Sequence, residues 1–281
     1  MKKVKFLTFL IPFAVACLVA ILLAALPTPG PAQSTSVHLT MGNPSSAGTS
    51  SLSNYLLVKP QYALSYNCSR GIPNWVSWQL NSSWLGSAPR QDDFRADTTL
   101  PSGCYQVTSS DYTGSGFDRG HMTPSADRTN TITNNSATFL MTNIVPQAPD
   151  NNQGPWADLE DYCRQLVGQG KELYIVSGSY GSGGTGSNGG ATTISSSRVT
   201  VPDRVWKAII VLDQPGSGVS GVTTSTRVIA VDMPNDQGIR SNDWRSYRVS
   251  VDTMESRTGY NLFSNVSDST ENIIEARVDY Q

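Results

Sequence analysis

The strongest constraint on the fold is an amphipathic helix followed at once by an apolar strand. In the segment GPWADLEDYCRQLVGQG, residues 154–170, the apolar residues fall on one helical face: Trp156, Leu159, Cys163, Leu166 and Val167. Pro155 suits the first turn, acidic residues near the start complement the helix dipole, and two glycines offer a stop. The segment KELYIVSG, residues 171–178, has the apolar centre of a short buried strand. The chain is therefore expected to mix helix and strand.

Runs of β-branched and aromatic residues, separated by turn residues, lie on both sides of this helix. They are NYLLVKPQYALSYN and NWVSWQLN before it, and RVTVP, VWKAIIVLD and TRVIAVDMP after it. Two segments near the C-terminus, VDTMESRTGY and STENIIEARV, indicate short closing helices. No internal repeat is visible, so residues 54–281 are predicted to form a single domain.

Residues 1–32 have the pattern of an export signal. Lysines precede an uncharged run from Phe6 to Leu26, and the small residues of Gly30-Pro31-Ala32 follow it. Cleavage would release the protein to the periplasm or the medium, but residues 6–26 are also long enough to remain as a membrane anchor. Both alternatives stay open. Removing the segment takes away three lysines and no acids, so the formal charge changes from −2 to −5. An acidic chain is a poor match to a sequence-specific DNA-binding protein, which normally presents a basic face.

The segment that follows, residues 33–53, is rich in serine, threonine and glycine and almost uncharged. This composition predicts a flexible linker or an extended lead-in to the domain. His38 belongs to this segment, so we expect no catalytic role for it.

Three cysteines lie beyond residue 32, and export permits disulfides. Cys163 falls on the apolar stripe of the helix, which predicts a buried thiol. Cys68 and Cys104 both lie in turn-like surroundings, and they are the predicted disulfide pair. The Cys-x-x-Cys and Cys/His spacings of a zinc site are absent from the sequence.

The candidate catalytic group is His121, which ends the D-R-G-H motif of residues 118–121. Taken alone it could be a turn residue, because Gly120 permits an unusual backbone angle. Its surroundings favour a functional site. Asp127 and Arg128 follow closely, and the segment TNIVPQAPDNNQGPWADLE places several amides between an apolar strand and the helix.

A single histidine cannot supply both a general base and a general acid, so a hard divalent cation is the candidate for the second role. Mg²⁺ prefers oxygen ligands and needs only one or two protein groups. Asn152 offers a carbonyl oxygen just before the helix, and Glu160 could accept hydrogen bonds from the waters of the metal. His121 would deprotonate a water in line with a phosphodiester, and Arg119 or Arg90 would bind the phosphate. Because water is the nucleophile, both DNA and RNA are expected substrates.

Two other classes of function are compatible with parts of the sequence. The Ser/Thr/Gly-rich composition and the aromatic strands permit an exported module that binds cell wall or polysaccharide, but that function leaves the arrangement of Asn152 and Glu160 unused. A serine hydrolase is disfavoured, because the segment Gly178-Ser179-Tyr180-Gly181 lacks the G-x-S-x-G spacing of a nucleophile elbow.

The segments DRGHMTPSADRT and TNIVPQAPDNNQGPWADLE together resemble the DNA/RNA non-specific endonucleases, the ββα-metal family built around a D-R-G-H motif. The resemblance extends from about Tyr55 to the C-terminus. It implies an α+β fold, in which a central antiparallel β-sheet is flanked by helices and a strand pair plus one helix hold the metal. It also implies hydrolysis of single- and double-stranded DNA and RNA with Mg²⁺ or Mn²⁺, leaving 5′-phosphate ends.

The same resemblance assigns the main chemical roles by position. His121 is the general base, Asn152 is the sole direct protein ligand of the metal, and Glu160 holds a metal-bound water. DNA and RNA are the implied partners, a polypeptide inhibitor is a further candidate, and the protein is expected to be a monomer.

The remaining positions of the motif receive supporting roles from the resemblance. Arg90 is assigned to the phosphate or product in preference to Arg95. Arg119 and Asp118 occupy the arginine and the acid of the motif, and Asn143 is assigned a supporting role.

Overall fold

The strands and helices of the protein are defined over residues 36–281. The structure is a computed structural model that describes these residues and Met1, so the predicted export signal or anchor otherwise lies outside the described residues. The strands are β1 (Tyr55–Val58), β2 (Ala63–Asn67), β3 (Ile72–Leu80), β4 (Asp118–His121), β5 (Ile144–Gln147), β6 (Glu172–Tyr180), β7 (Gly184–Gly186), β8 (Gly189–Ala191), β9 (Thr193–Ile194), β10 (Val199–Thr200), β11 (Arg204–Leu212), β12 (Arg227–Pro234) and β13 (Arg248–Val249). The α-helices are α1 (Ile132–Ala137), α2 (Pro149–Asn152), α3 (Pro155–Gly168), α4 (Val251–Thr258) and α5 (Asp268–Ile274).

Seven strands form one central sheet in the order β1-β2-β3-β6-β11-β12-β13, and all its neighbouring strands are antiparallel. The other strands form the pairs β4–β5, β7–β8 and β9–β10. The predicted fold class, α+β with a central antiparallel sheet flanked by helices, is confirmed. None of the helices within residues 36–281 is long and apolar enough to cross a membrane.

The central sheet is buried on both faces. In β6, Leu173 and Ile175 belong to one apolar cluster, which we call the α3-side core. Tyr174 and Val176 point to the opposite face and belong to a second cluster, the α4-side core. Burial on both faces explains why these strands read as continuous apolar runs instead of alternating with polar residues.

The helix predicted within residues 154–170 is confirmed as α3. All five residues of its apolar stripe lie in the α3-side core, including Cys163, which is 1% exposed. The strand predicted directly after it is confirmed as β6, and α4 and α5 occupy the two segments predicted as closing helices.

Residues 36–53 differ from the predicted flexible linker. Leu39, Met41 and Ala47 are buried in the α4-side core, and the hydroxyl of Ser77 donates a hydrogen bond to the carbonyl of His38 at 2.6 Å. His38 is itself buried, and its Nε2 lies 2.8 Å from the carbonyl oxygen of Pro60. The composition did not predict this packing, because a few apolar residues among many small polar ones are enough to cover part of one face of the sheet. The compact unit therefore includes this segment, and it begins before residue 54.

The predicted disulfide is present between Cys68 and Cys104, with the two Cα atoms 4.9 Å apart. The bridge closes a loop with a sequence separation of 36 residues. This loop contains Arg90, Phe94 and Arg95, so the disulfide anchors both ends of a segment that, through Arg90 and Phe94, lines the cavity with the largest group of predicted site residues.

Candidate active site

The D-R-G-H motif forms β4, which pairs with β5 to make a two-stranded ribbon beside the central sheet. His121 ends β4 opposite Ile144, and Gly120 lies opposite Val145. A Cβ atom at Gly120 would lie 2.1 Å from Oε1 and 2.5 Å from Cβ of Gln147, which is closer than real atoms approach. The motif therefore requires glycine for space across the ribbon, and not for the unusual backbone angle that the sequence suggested.

His121 is packed against two aromatic rings. Its imidazole is 5.4 Å from the ring centre of Phe94 and 4.9 Å, edge to face, from that of Phe139. The residue is 8% exposed, and its Nε2 is buried with no hydrogen-bond partner within residues 36–281. Burial, followed by the charges of Arg90 and Arg119, lowers the pKa of His121 to about 3. The imidazole is therefore neutral at pH 7, which is the form that can accept a proton.

The same two aromatic rings hold two arginines beside the imidazole. The guanidinium of Arg119 lies 4.2 Å from the ring centre of Phe94, and that of Arg90 lies 4.9 Å from the ring centre of Phe139. These are cation–π distances, so the rings position both cations. Arg95 points elsewhere, because its Nη1 donates to Asp93 and to the carbonyl of Ser136. The choice of Arg90 over Arg95 as the phosphate contact stays a prediction, and Arg90 is the one of the two that lines the cavity beside Phe94.

Asp118 and Asn152 are in direct contact, although 34 residues separate them in the sequence. The carboxylate Oδ2 of Asp118 accepts a hydrogen bond from Nδ2 of Asn152 at 2.8 Å and one from Nε2 of Gln153 at 2.7 Å. Because the amide nitrogen of Asn152 is engaged, its Oδ1 is directed away from the carboxylate. Asp118 thus fixes the carboxamide in the orientation that leaves its oxygen available to a ligand.

A polar cavity of about 350 Å³ collects most of the predicted site residues. The predicted residues in its lining are Arg90, Asp118, Arg119 and Asn152. Phe94 also lines the cavity, and His121 packs against that ring. The cavity therefore offers two cations, a carboxylate and an amide oxygen close to a neutral imidazole.

Asn143 anchors the backbone immediately after His121. It is fully buried; its Oδ1 accepts a hydrogen bond from the backbone nitrogen of Thr123, and its Nδ2 donates to the carbonyl oxygens of Thr123 and Thr138. The backbone nitrogen of Met122 donates to the carbonyl of Asn143. These contacts fix the chain on the C-terminal side of His121, which agrees with a supporting role.

Glu160 makes no hydrogen bond or ion pair with His121 or Asn152 within residues 36–281. Its Oε1 lies 3.3 Å from Nζ of Lys207, and that ammonium group is 3.0 Å from the ring centre of Trp156. Trp156 in turn donates from Nε1 to the backbone carbonyl of His121 at 3.3 Å. Burial raises the pKa of Glu160 and lowers that of Lys207 to about 8. Glu160 is thus linked to the histidine strand through two side chains, and its assignment to a metal-bound water stays a prediction.

The Asp127–Arg128 pair is structural. Arg128 is fully buried, and its guanidinium donates to the carbonyls of Gln61, Gln79 and Asp127. The carboxylate of Asp127 accepts from Nε1 of Trp78 and Nη1 of Arg164.

Sequence reasoning missed Phe94, Phe139 and Lys207. The signal for Lys207 was present, because it is the single charge inside the apolar run VWKAIIVL of β11. The two phenylalanines gave no such signal, since an isolated aromatic residue is more often part of a core.

Comparisons with known proteins match most of the chain. Residues 42–269 match the family model of DNA/RNA non-specific endonucleases. The chain is 60% identical over 248 residues to a nuclease of Nostoc sp., covering 88% of this chain and 87% of that protein. It is 28% identical over 229 residues to a nuclease of Serratia marcescens, with 79% and 80% covered. It is 31% identical over 216 residues to the mitochondrial nuclease EXOG of Mus musculus, covering 75% of this chain and 57% of that protein.

The fold is also similar to a solved structure. A chain in the crystal structure of the EndoG/EndoGI complex, which describes the mechanism of EndoG inhibition, superposes with a TM-score of 0.67. The match covers 83% of this chain and 92% of that chain at 22% identity, so it shows a shared fold. The family model, in contrast, spans the whole site, from the loop of Arg90 to α3. The chain therefore belongs to the DNA/RNA non-specific endonuclease family and is a hydrolase that acts on nucleic acids.

Proposed function

We propose that this nuclease hydrolyses phosphodiester bonds in single- and double-stranded DNA and RNA with the help of a divalent cation, and leaves 5′-phosphate ends. The observation that carries the proposal is the contact between Asp118 and Asn152 at the wall of a cavity that also contains Arg90 and Arg119. This arrangement offers an oriented oxygen ligand and two phosphate-binding cations in one place.

His121 acts as the general base in this proposal. It is neutral at pH 7 because burial lowers its pKa, so it can take the proton of an attacking water. The pKa of about 3 in the free protein makes it a weak base. A bound phosphodiester adds negative charge beside the ring, which raises the pKa towards the range needed for efficient proton transfer.

Arg90 and Arg119 bind the phosphate. Each guanidinium is exposed on one side and rests on an aromatic ring on the other, so its orientation is largely set before substrate arrives. A planar guanidinium donates two parallel hydrogen bonds to phosphate oxygens. These contacts reach only the backbone of the substrate, which accounts for action without base or sugar selection.

The donor set fits a hard cation such as Mg²⁺ or Mn²⁺. Asn152 would hold it through Oδ1, and Glu160 would assist from α3 by accepting hydrogen bonds from its water shell. When bound, the cation supplies a positive charge that offsets the negative charge developing on the phosphate and on the leaving 3′ oxygen.

A cleavage assay on plasmid DNA and on RNA tests the proposal. Chelation should abolish cleavage, addition of Mg²⁺ or Mn²⁺ should restore it, and the product ends should be ligatable without prior phosphorylation. Arg90→Ala should lower kcat/KM by about 10–100-fold, as expected for a lost charged contact of 1.4–2.7 kcal/mol. Arg95→Ala is the matched control, because it is an exposed arginine of the same loop that also pairs with an aspartate. Equal effects of the two substitutions, or full activity after chelation, would overturn the proposal.

The variants His121→Ala and Asn152→Ala test the general base and the metal ligand separately. His121→Ala should lose most activity at every metal concentration. Asn152→Ala should instead require far more metal, while Gln153→Ala, which removes the other amide bonded to Asp118, should keep a near-normal metal response. A normal turnover of His121→Ala would remove the assignment of the base.

The cellular context is also proposed. We infer export to the periplasm or the medium, with residues 6–26 as either a cleaved signal or an anchor, and N-terminal sequencing of the mature protein distinguishes the two. A monomer is expected, which a sedimentation measurement tests. A polypeptide inhibitor that offers carboxylates to Arg90 and Arg119 would block the cavity, and competition between such a protein and DNA tests this partner.

A further inference from the structure

A second cluster of oxygen ligands lies where α4 meets the end of α5. Asp252 and Glu255 belong to α4, and Glu275 follows the last residue of α5. One carboxylate oxygen from each of the three lies within 4.8 Å of the others. The backbone supports this convergence, because the nitrogen of Asp252 donates to the carbonyl of Glu275 at 3.2 Å. The carboxylates are therefore held together by the fold.

Glu275 is the buried member of the cluster. It is 3% exposed, and its Oε1 is buried with no hydrogen-bond partner within residues 36–281. The neighbouring Glu271 also has a buried Oε1 without a partner in this part of the chain. Glu255 uses Oε1 to accept a hydrogen bond from the backbone nitrogen of Leu262 at 2.7 Å. Buried acceptor atoms normally have a hydrogen-bond donor. The Oε1 atoms of Glu275 and Glu271 have none within residues 36–281, so a bound cation would satisfy them.

Neighbouring carboxylates disfavour the ionised forms of Glu275 and Glu271. Burial, then Glu255, Glu271 and Asp252, raise the pKa of Glu275 to about 9. Burial, then Glu255, Asp268 and Asp252, raise the pKa of Glu271 to about 7.

The arginines closest in sequence to the cluster, Arg257 and Arg277, are engaged elsewhere. Arg257 pairs with Asp232, and Arg277 donates to the carbonyl of Thr224. Within residues 36–281, neither arginine therefore neutralises the cluster, and like charges this close repel unless a cation or a proton lies between them.

We propose that Asp252, Glu255 and Glu275, with Glu271 beside them, bind a Ca²⁺ ion at a site separate from the active site. An all-oxygen set of three or four carboxylates is typical of Ca²⁺, which takes 6–8 oxygen ligands in flexible geometry. Mg²⁺ usually binds through one or two carboxylates and keeps most of its waters. Two ligands on opposite sides of Ca²⁺ lie about 4.8 Å apart, twice the usual Ca–O distance of about 2.4 Å, so the cluster has the right size. Asp252 is exposed and leaves a path for the ion and its remaining waters.

The ion would join two elements that otherwise meet through one backbone hydrogen bond and apolar contacts. Val251 and Met254 of α4 and Ile274 of α5 all belong to the α4-side core. Binding that favours the folded state raises the melting temperature. For a domain of this size, free Ca²⁺ at 100 times its Kd should raise Tm by roughly 5–10 °C.

Calorimetric titration of the full chain with CaCl₂ tests the site. The measurement uses the Asn152→Ala variant, in which cation binding at the active site is weakened, after treatment with a chelator at pH 7.5. One site with a stoichiometry near 1 is expected. Glu255→Gln combined with Glu275→Gln should abolish the binding heat and the Ca²⁺-dependent rise in Tm. Asp268→Asn, an exposed acid at the start of α5 that is not one of the three ligands, is the matched control and should retain both.

Two outcomes would overturn the site. The first is the lack of any binding heat at millimolar Ca²⁺ in the Asn152→Ala variant together with a Tm that does not respond to Ca²⁺. The second is binding that persists in the double variant. Suppose that the wild-type protein does not bind Ca²⁺ and that the double variant, without Ca²⁺, is more stable than wild type. The carboxyl groups would then share protons in place of a bound ion. Each result is independent of nuclease activity, so it leaves the proposed function unaffected.

Discussion

Replacing Asp118 with alanine tests whether the orientation of the Asn152 carboxamide, and not only its presence, controls the metal response of this nuclease. The substitution removes the hydrogen bonds from Asn152 at 2.8 Å and from Gln153 at 2.7 Å. A hydrogen bond to a charged group contributes about 1.5–3 kcal/mol, and the partial exposure of Asp118 favours the lower half of this range. Losing that much orientation energy should raise the half-saturating metal concentration about 10–45-fold, within the range typical of residues that orient metal ligands.

The assay is a titration of DNA cleavage with Mg²⁺ at fixed substrate, repeated at several DNA concentrations. Asp118→Ala should shift the metal dependence, whereas kcat at saturating metal should recover to within a few-fold of the wild-type value. KM for DNA should fall or stay unchanged, because the substitution removes a negative charge from the cavity. The reasoning fails if the metal dependence of Asp118→Ala stays within twofold of wild type while Asn152→Ala requires far more metal.

Four further predictions concern stability and pH. Gly120→Ala should lower the free energy of unfolding by about 1–3 kcal/mol and reduce activity with it, because the added methyl overlaps a neighbouring side chain; unchanged urea unfolding would contradict this. Asn143→Ala should lower the same free energy by about 3–5 kcal/mol, since three buried hydrogen bonds are lost, and a cost below 1 kcal/mol would mean that water replaces the amide. Reduction of the Cys68–Cys104 bridge should destabilise the protein by about 3–4 kcal/mol for a loop of this length, measured by urea unfolding with and without a reducing agent. Burial lowers the pKa of His38 to about 4, so only the unfolded state takes up this proton between pH 6.5 and 4; stability should fall with decreasing pH across that window, and the slope should be shallower in His38→Gln.

The elements that were predictable from the sequence are those with a strong local pattern. The stripe from Trp156 to Val167 repeats at helical spacing, so α3 could be placed almost to the residue. The D-R-G-H motif and the segment before α3 predict that His121 and Asn152 belong to one site, but only because two separated segments resemble a known family. Nothing in the local pattern shows that Asp118 reaches Asn152, since this contact depends on how β4 and β5 pair.

The missed features depend on tertiary packing. Phe94 and Phe139 are 45 residues apart in the sequence, and only the folded chain stacks them edge to face between His121 and two arginines. Lys207 lies in a strand whose pattern indicates a core, and its ammonium group is satisfied there by Trp156 and Glu160. Residues 36–53 were assigned by composition, which reports average polarity and not the position of the few side chains that pack.

The early segment containing Leu39, Met41 and Ala47 has a consequence for maturation of the protein. These side chains shield the sheet on the face opposite α3, so a protease that trimmed the chain to residue 54 would leave an apolar surface open to water. Such a shortened nuclease would be prone to aggregate even though the imidazole, the amide and the arginines of the cavity were all retained. Any processing that yields a working enzyme must therefore cut upstream of this shielding segment.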